Sequence, residues 1–239
     1  VNRRHGAIHT PRPDGIARLA ARMGMAEAPI PNWFARFRAD GDPLGNDQFG
    51  DCADAADCQL IRLWGGRADR AMALSRYQMN TGFDPATGQP DNGTDTSQDM
   101  ASWCAAPILD LDGRPRPIYW AWVDHADETE IRAALARFPL AISVGLPAAI
   151  ADDPDRWGED PQPGWTPDEG HRIVLGFMND RGWLVRSWGE DYTVSFALMR
   201  LMLLAVDVPI PHPATAPAEL QWSGLDYAAL ARDLATLRA

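Results

Sequence analysis

The sequence contains no lysine: all 22 of its basic residues are arginine. That excludes Schiff-base chemistry at a lysine, and the bias fits a GC-rich genome better than a function. Basic residues are outnumbered by 33 acidic ones, for a formal net charge of −11. A nucleic-acid surface needs clustered positive charge to displace counterions from phosphates, so nucleic acid is not an expected partner. Cysteine is scarce. Cys52, Cys58 and Cys104 are an odd number at irregular spacing, which gives neither a disulfide framework nor a CxxC zinc site and leaves at least one thiol free. No apolar run approaches the ~20 residues that span a bilayer; the longest, from Leu198 to Val208, is broken by Arg200 and Asp207. The opening Val1-Asn2-Arg3-Arg4-His5 leads into Pro11, Pro13 and Asp14 and not into an apolar stretch, so no secretory signal is expected. Asp84, Asp91, Asp95 and Asp99 lack the EF-hand spacing, and no metal or cofactor is expected. These absences describe a soluble protein with no membrane partner.

What is present supports one substantial core with an appendage: 239 residues, 46% of them hydrophobic, and ten tryptophans whose large apolar faces suit cores and grooves. Residues 1–45 are rich in Pro, Arg and Ala and read as a wrapping segment with one helix from Gly15 to Met25. The main domain is expected over 46–208. Cys52, Ala55, Ala56, Gln59, Leu60, Leu63 and Trp64 fall at helical spacing and Gly65-Gly66 ends the run. Further helices are expected at about 68–79, 97–105 and 128–137, with strands at 118–123 and 140–146 and a hairpin of 171–177 with 182–187. Helices first and strands afterwards indicate the α+β class. Pro209, Pro211, Pro213 and Pro217 read as a stiff linker over 209–222, followed by an amphipathic helix over 223–239 opened by Ser223 and Asp226. That helix either folds back on its own domain or docks against another subunit.

Asp51 is placed to cap the first helix, which puts Cys52 in its first turn, where the partial positive charge of a helix N-terminus favours thiolate. Cys52 is therefore the expected nucleophile, and Cys58 and Cys104 are packing residues. The neighbouring Asp51 carboxylate opposes thiolate formation unless its charge is engaged in capping. Among five histidines, His5, His9 and His212 lie in the proline-rich ends and His125 sits among aspartates. His171 opens a strand directly after Gly170, and is the expected base.

The order Gln48-Phe49-Gly50-Asp51-Cys52-Ala53, then Asp91-Asn92-Gly93, then Gly170-His171-Arg172-Ile173-Val174, then Arg186-Ser187-Trp188-Gly189 resembles papain-like cysteine peptidases. With Gly82-Phe83-Asp84-Pro85-Ala86-Thr87-Gly88 running into Asp91-Asn92-Gly93, it is most similar to papain-like proteins encoded by bacteriophages and prophages. The resemblance spans Leu44 to Val208. It implies a papain-like fold, with a helical half carrying Cys52 and an antiparallel β half carrying His171, and a thiol hydrolase acting on a peptide or isopeptide bond. By resemblance Cys52 attacks the acyl carbon, His171 moves the proton, and a side-chain amide with the Cys52 N–H stabilises the oxyanion. Gln48 is the first choice for that amide and Asn46 its rival, because the family's glutamine lies six residues before its cysteine. Asn92, Gly93, Gly170 and Trp188 are assigned to substrate binding. The sequence departs from the family where an asparagine orients the imidazole: that place holds Arg186, or Ser187 if one residue is deleted. The competing expectation is a papain-fold interaction module of a phage particle. The implied partners are a peptide or protein substrate and virion proteins or a second copy through the C-terminal helix. The implied location is the bacterial cytoplasm or a phage particle.

Overall fold

A helix buried on every side lies at the centre of the computed structural model, which describes residues 5–10, 17–19 and 29–215. This helix, α1 (Cys52–Leu63), carries Ala53, Ala55 and Ala56, whose small side chains allow close approach on several faces. Its polar residues are buried too and require partners. The helix α2 (Arg70–Thr81) supplies one. Asp69 caps it by accepting the Met72 N–H, and Gly82 ends it at φ +76°, a left-handed conformation natural to glycine. The Arg76 guanidinium on α2 pairs with Asp57 of α1 at 2.8 Å and Asp99 of α3 (Thr96–Ala105) at 2.5 Å, and lies 3.8 Å from Asp54. Asn80 and Thr94 donate to Asp54, each at 2.9 Å. This buried cluster ties the three helices together behind Cys52.

The second half is a seven-stranded sheet ordered β10-β9-β8-β7-β11-β6-β2. Its members are β2 (Ala17–Arg18), β6 (Ile118–Val123), β7 (Leu140–Leu146), β8 (Glu169–Asn179), β9 (Gly182–Ser187), β10 (Glu190–Val194) and β11 (Leu203–Pro211). All neighbours are antiparallel except β2 with β6. Strand β8 packs against α1, and the Arg172 N–H near the start of the strand faces Cys52 at the start of the helix. Two short ladders complete the strands: β1 (Ala7–Ile8) with β3 (Thr94–Asp95) in parallel, and β4 (Ile108–Leu109) with β5 (Pro115–Arg116). Helix α4 (Glu128–Leu135) precedes β7, and α5 (Phe196–Met202) leads directly into β11.

The α+β order matches expectation, but β10, α5 and β11 were not expected as elements, and two expected segments differ. Of the segment expected to be helical from Gly15 to Met25, residues 17–19 are described, and Ala17–Arg18 form a strand held by Arg18 pairing with Glu130. Strand β11 continues through Pro209 and Pro211, past the expected start of the linker. Its pairing with β7 stops at Asp207, while that with β6 runs on to Pro211. The prolines therefore lie where one side of the strand has no ladder to donate to. The expected helix at 223–239 lies outside the described residues. Among the described residues no helix is long and apolar enough to cross a membrane.

Candidate functional site

Cys52 begins α1 and is 1% exposed. Asp51 occupies the capping position, but its side chain makes no cap hydrogen bond. Burial pushes the Asp51 carboxyl well above the usual carboxylate range, helped by the like charge of Asp54. The expected engagement of this carboxylate in capping is therefore not seen. The backbone N–H groups of Arg172 and Gly6 hydrogen-bond to the Cys52 sulfur, so the peptide joining His171 to Arg172 lies against it. Burial, with Asp51 and Asp54 adding to it, drives the Cys52 thiol up to about 12, opposing the thiolate that its place at a helix start favours. A helix N-terminus contributes up to ~2 kcal/mol, which burial here outweighs.

His171 is fully buried on β8. Its ring stacks on Trp188 with centroids 4.6 Å apart and planes 17° apart. Its Nε2 is 2.7 Å from the Ser187 hydroxyl, and its Nδ1 has no hydrogen bond among the described residues. Burial, then the neighbouring His5, lowers the His171 imidazole well below the usual histidine range. Of the two candidates for the orienting position, Ser187 makes the contact. Arg186 points to the other side of β9, where it grips Asp191 through two nitrogens at 2.6 and 3.0 Å, donates to the Phe37 carbonyl, and lies over the Phe34 ring.

The two amide candidates separate clearly. Gln48 is exposed; its Oε1 accepts from Arg70 at 2.7 Å and its Nε2 points to Asp47. Asn46 is 2% exposed, faces Asp51, and donates to the Phe49 carbonyl at 3.1 Å within the loop that enters α1. Gly93 sits on the opposite wall at φ +80°, while Asn92 is exposed. Asp91 and Tyr77 hold that wall to the cysteine loop: Asp91 accepts from the Gly50 N–H and the Tyr77 hydroxyl, each at 2.8 Å, and Tyr77 in turn accepts the Gly93 N–H at 3.0 Å. Gly170 precedes His171 on β8 and faces the carbonyl of Ala7. Tyr77 is absent from the site expected from sequence, and Asp91 was expected there only as part of the Asp91-Asn92-Gly93 motif; their bonding roles depend on loops that come together only in the fold.

The segment around Gly6 is the main surprise. His5, set aside in the sequence as part of a proline-rich end, lies edge-on to His171 at 5.2 Å and to Trp188 at 5.7 Å. Among the described residues no group of histidine, cysteine and acidic side chains is arranged to hold a metal ion.

No protein-family model matches the sequence, and no curated protein matches it. Solved structures do match in shape. Xylellain, a cysteine protease from Xylella fastidiosa, superposes with a TM-score of 0.55 at 12% identity over 88% of this chain and 97% of its own. The digestive procathepsin L 3 of the Tenebrio molitor larval midgut gives 0.53 at 10% identity over 82% of this chain and 73% of its own. The chain has a papain-like α+β fold, and its structural neighbours are papain-like cysteine proteases.

Proposed function

We propose that this protein is a papain-like thiol hydrolase cleaving a peptide or isopeptide bond, with Cys52 as nucleophile and His171 as base. The observation that carries this reading is the orientation of His171. With Nε2–H donated to Ser187, Nδ1 presents a bare lone pair, and the peptide that follows His171 points its N–H at the Cys52 sulfur. Nδ1 takes the thiol proton as sulfur bonds to the substrate acyl carbon. The oxyanion is met by the Cys52 N–H and the Asn46 amide, once that amide turns from Phe49. The amine leaves with the proton from His171, giving a thioester, and water, deprotonated by the same nitrogen, releases the acid and restores the thiol. Trp188 covers one face of the imidazole and excludes water from it, while Gly93 and Gly170 leave the cleft walls bare for a peptide backbone. A phage or prophage setting, with virion proteins as substrates or partners, follows from the motif running from Gly82 to Gly93.

The test is hydrolysis of fluorescently labelled casein together with adduct mapping by a peptidyl epoxide. Hydrolysis and an adduct on Cys52 are expected, with hydrolysis lost in both Cys52→Ala and His171→Ala. Lack of hydrolysis from a form whose Cys52 reacts freely with iodoacetamide would overturn the proposal.

A further inference from the structure

The outer face of α2 carries a stripe with no cover. Met72, Ser75, Arg76 and Met79 fall at i, i+3, i+4 and i+7 and so share one side of the helix. Together with β4 and the preceding Pro107 they enclose a groove of about 300 Å³. Met79 is 68% and Leu109 59% exposed, and Leu111, two residues on, is 44% exposed. Among the described residues Ile8 is the one other large hydrophobic so exposed, so bare apolar surface is concentrated here. Clustered exposed apolar side chains mark contact sites. A polar small molecule is a poor match: Arg76 is committed to Asp57 and Asp99, which leaves the Ser75 hydroxyl alone to fix its orientation.

The chain itself returns to this place. Strand β11 ends at Pro211 beside Ile118. His212 then donates its N–H to the Pro117 carbonyl at 2.9 Å, stacks on Tyr119, and starts a turn closed by the Thr215 N–H. In the β4–β5 ladder Ile108 pairs with Arg116 and Leu109 with Pro115, so the next position of that register sets Pro117 beside Pro107, a wall of the groove. The path of the chain thus passes about one strand spacing, ~5 Å, from the groove.

Beyond Thr215, Tyr227, Leu230, Ala231, Leu234 and Leu237 repeat at helical spacing. This is the same pattern that α2 presents, so two such stripes can pack ridge into groove along their lengths. Residues 216–222 lead to it, and a tether of that length reaches up to ~25 Å, ample for the gap. It also holds the stripe at an effective concentration of about millimolar. A second copy offering the same stripe competes without that advantage.

We propose that residues 223–239 form a helix that seats Tyr227, Leu230, Leu234 and Leu237 in the groove between α2 and β4 of their own chain. The seat covers the outer face of the helix whose buried side carries Arg76 and Tyr77, so the C-terminal segment braces the element that holds α1 and the Gly93 wall. The hydrolase reading has no part in it.

The experiment applies backbone hydrogen exchange and methionine oxidation by hydrogen peroxide to the full chain, for wild type, Met79→Glu, Leu109→Glu, Leu234→Glu and Ala229→Glu, with the mass in solution from sedimentation. Amides of residues 227–237 should exchange at least about tenfold more slowly in wild type than in the first three variants. Ala229→Glu, which places its charge away from the stripe, should behave as wild type. Met79 should oxidise at least about fivefold faster in Leu234→Glu than in wild type, with the buried Met100 and Met199 unchanged. Wild-type protection of residues 227–237 in the groove variants, or Met79 oxidation that is equal in wild type and Leu234→Glu or rises no more than at Met100 and Met199, would overturn the seat. Protection that requires a dimer mass and falls on dilution would overturn it in favour of a second copy. If one groove variant does not fold, the other decides by the same criteria, and the oxidation of Leu234→Glu needs neither.

Discussion

Replacing Arg76 with methionine tests what fixes the cysteine helix. Methionine matches the length of the arginine stem, so the change mainly removes the charge and its donors. Asp57 and Asp99 each lose a hydrogen bond to a cation, worth about 1.5–3 kcal/mol apiece. Breaking a buried ion pair from one side costs about 3–5 kcal/mol by separate reasoning. Both routes converge on a loss of ~3–5 kcal/mol, a large share of the 5–15 kcal/mol typical of a domain. The loss depends on pH in a defined direction. Burial, then the charge of Asp99, raises the Asp54 carboxyl to about 7, above its unfolded value. Such a group stabilises the fold while protonated, and that stability is lost as pH rises through about 7. Without Arg76 to oppose the rise, Asp54 and Asp57 hold their protons more tightly still, so acid partly repairs the variant. Urea denaturation followed by tryptophan fluorescence at pH 5 and pH 8 should show a deficit larger at pH 8 by ~1–3 kcal/mol. A deficit under about 1 kcal/mol, or one equal at both pH values, would refute the claim that the Arg76 guanidinium is the main tie of this cluster.

Two further outcomes follow from the site. On the proposed hydrolase reading, Ser187→Ala removes the partner of His171 Nε2 while leaving the Trp188 stack in place, so kcat should fall about five- to tenfold, equivalent to one hydrogen bond, with KM unchanged; an effect confined to KM would show that Ser187 does not orient His171. In wild type, a thiol held near about 12 by burial should label with iodoacetamide at a rate rising about tenfold per pH unit from pH 7 to 10, and a plateau below pH 9 would contradict the closed state.

Helix α1 was legible because its signals are local: a polar entry at Asp51, apolar residues at helical spacing, and Gly65-Gly66 as a stop. Hairpin β8–β9 was legible for the same reason. The stretch from Leu198 to Val208 is apolar in both its helical and strand parts, which erases the period that would separate α5 from β11. At the site, spacing left Gln48 and Asn46 open, since which amide turns inward depends on a loop that folds onto Asp51 and Phe49. The choice between Arg186 and Ser187 is in principle readable, because successive residues of a strand face opposite sides, but it requires knowing which side holds His171. Nothing local marks Gly6 or His5. Their neighbours, Gly50, Gly93, Gly170 and His171, are distant in the chain, and a single glycine carries no trace of the backbones it will meet.

Burial of the cleft does more than block entry. It raises the Cys52 thiol and lowers the His171 imidazole, so proton transfer between them is opposed from both ends and the closed pair stays neutral. Admitting water would remove the first cause of each shift, while the Arg172 N–H, which favours thiolate, belongs to β8. The second cause of the His171 shift is His5, so His5→Ala should raise the His171 imidazole and leave the burial of Cys52 as the main obstacle to thiolate. The two pKa values are therefore tied to one property, exclusion of water, and a variant that wets the pair should gain more reactivity at Cys52 than exposure of the sulfur alone provides; iodoacetamide labelling of Cys52 across about pH 7 to 10 measures it.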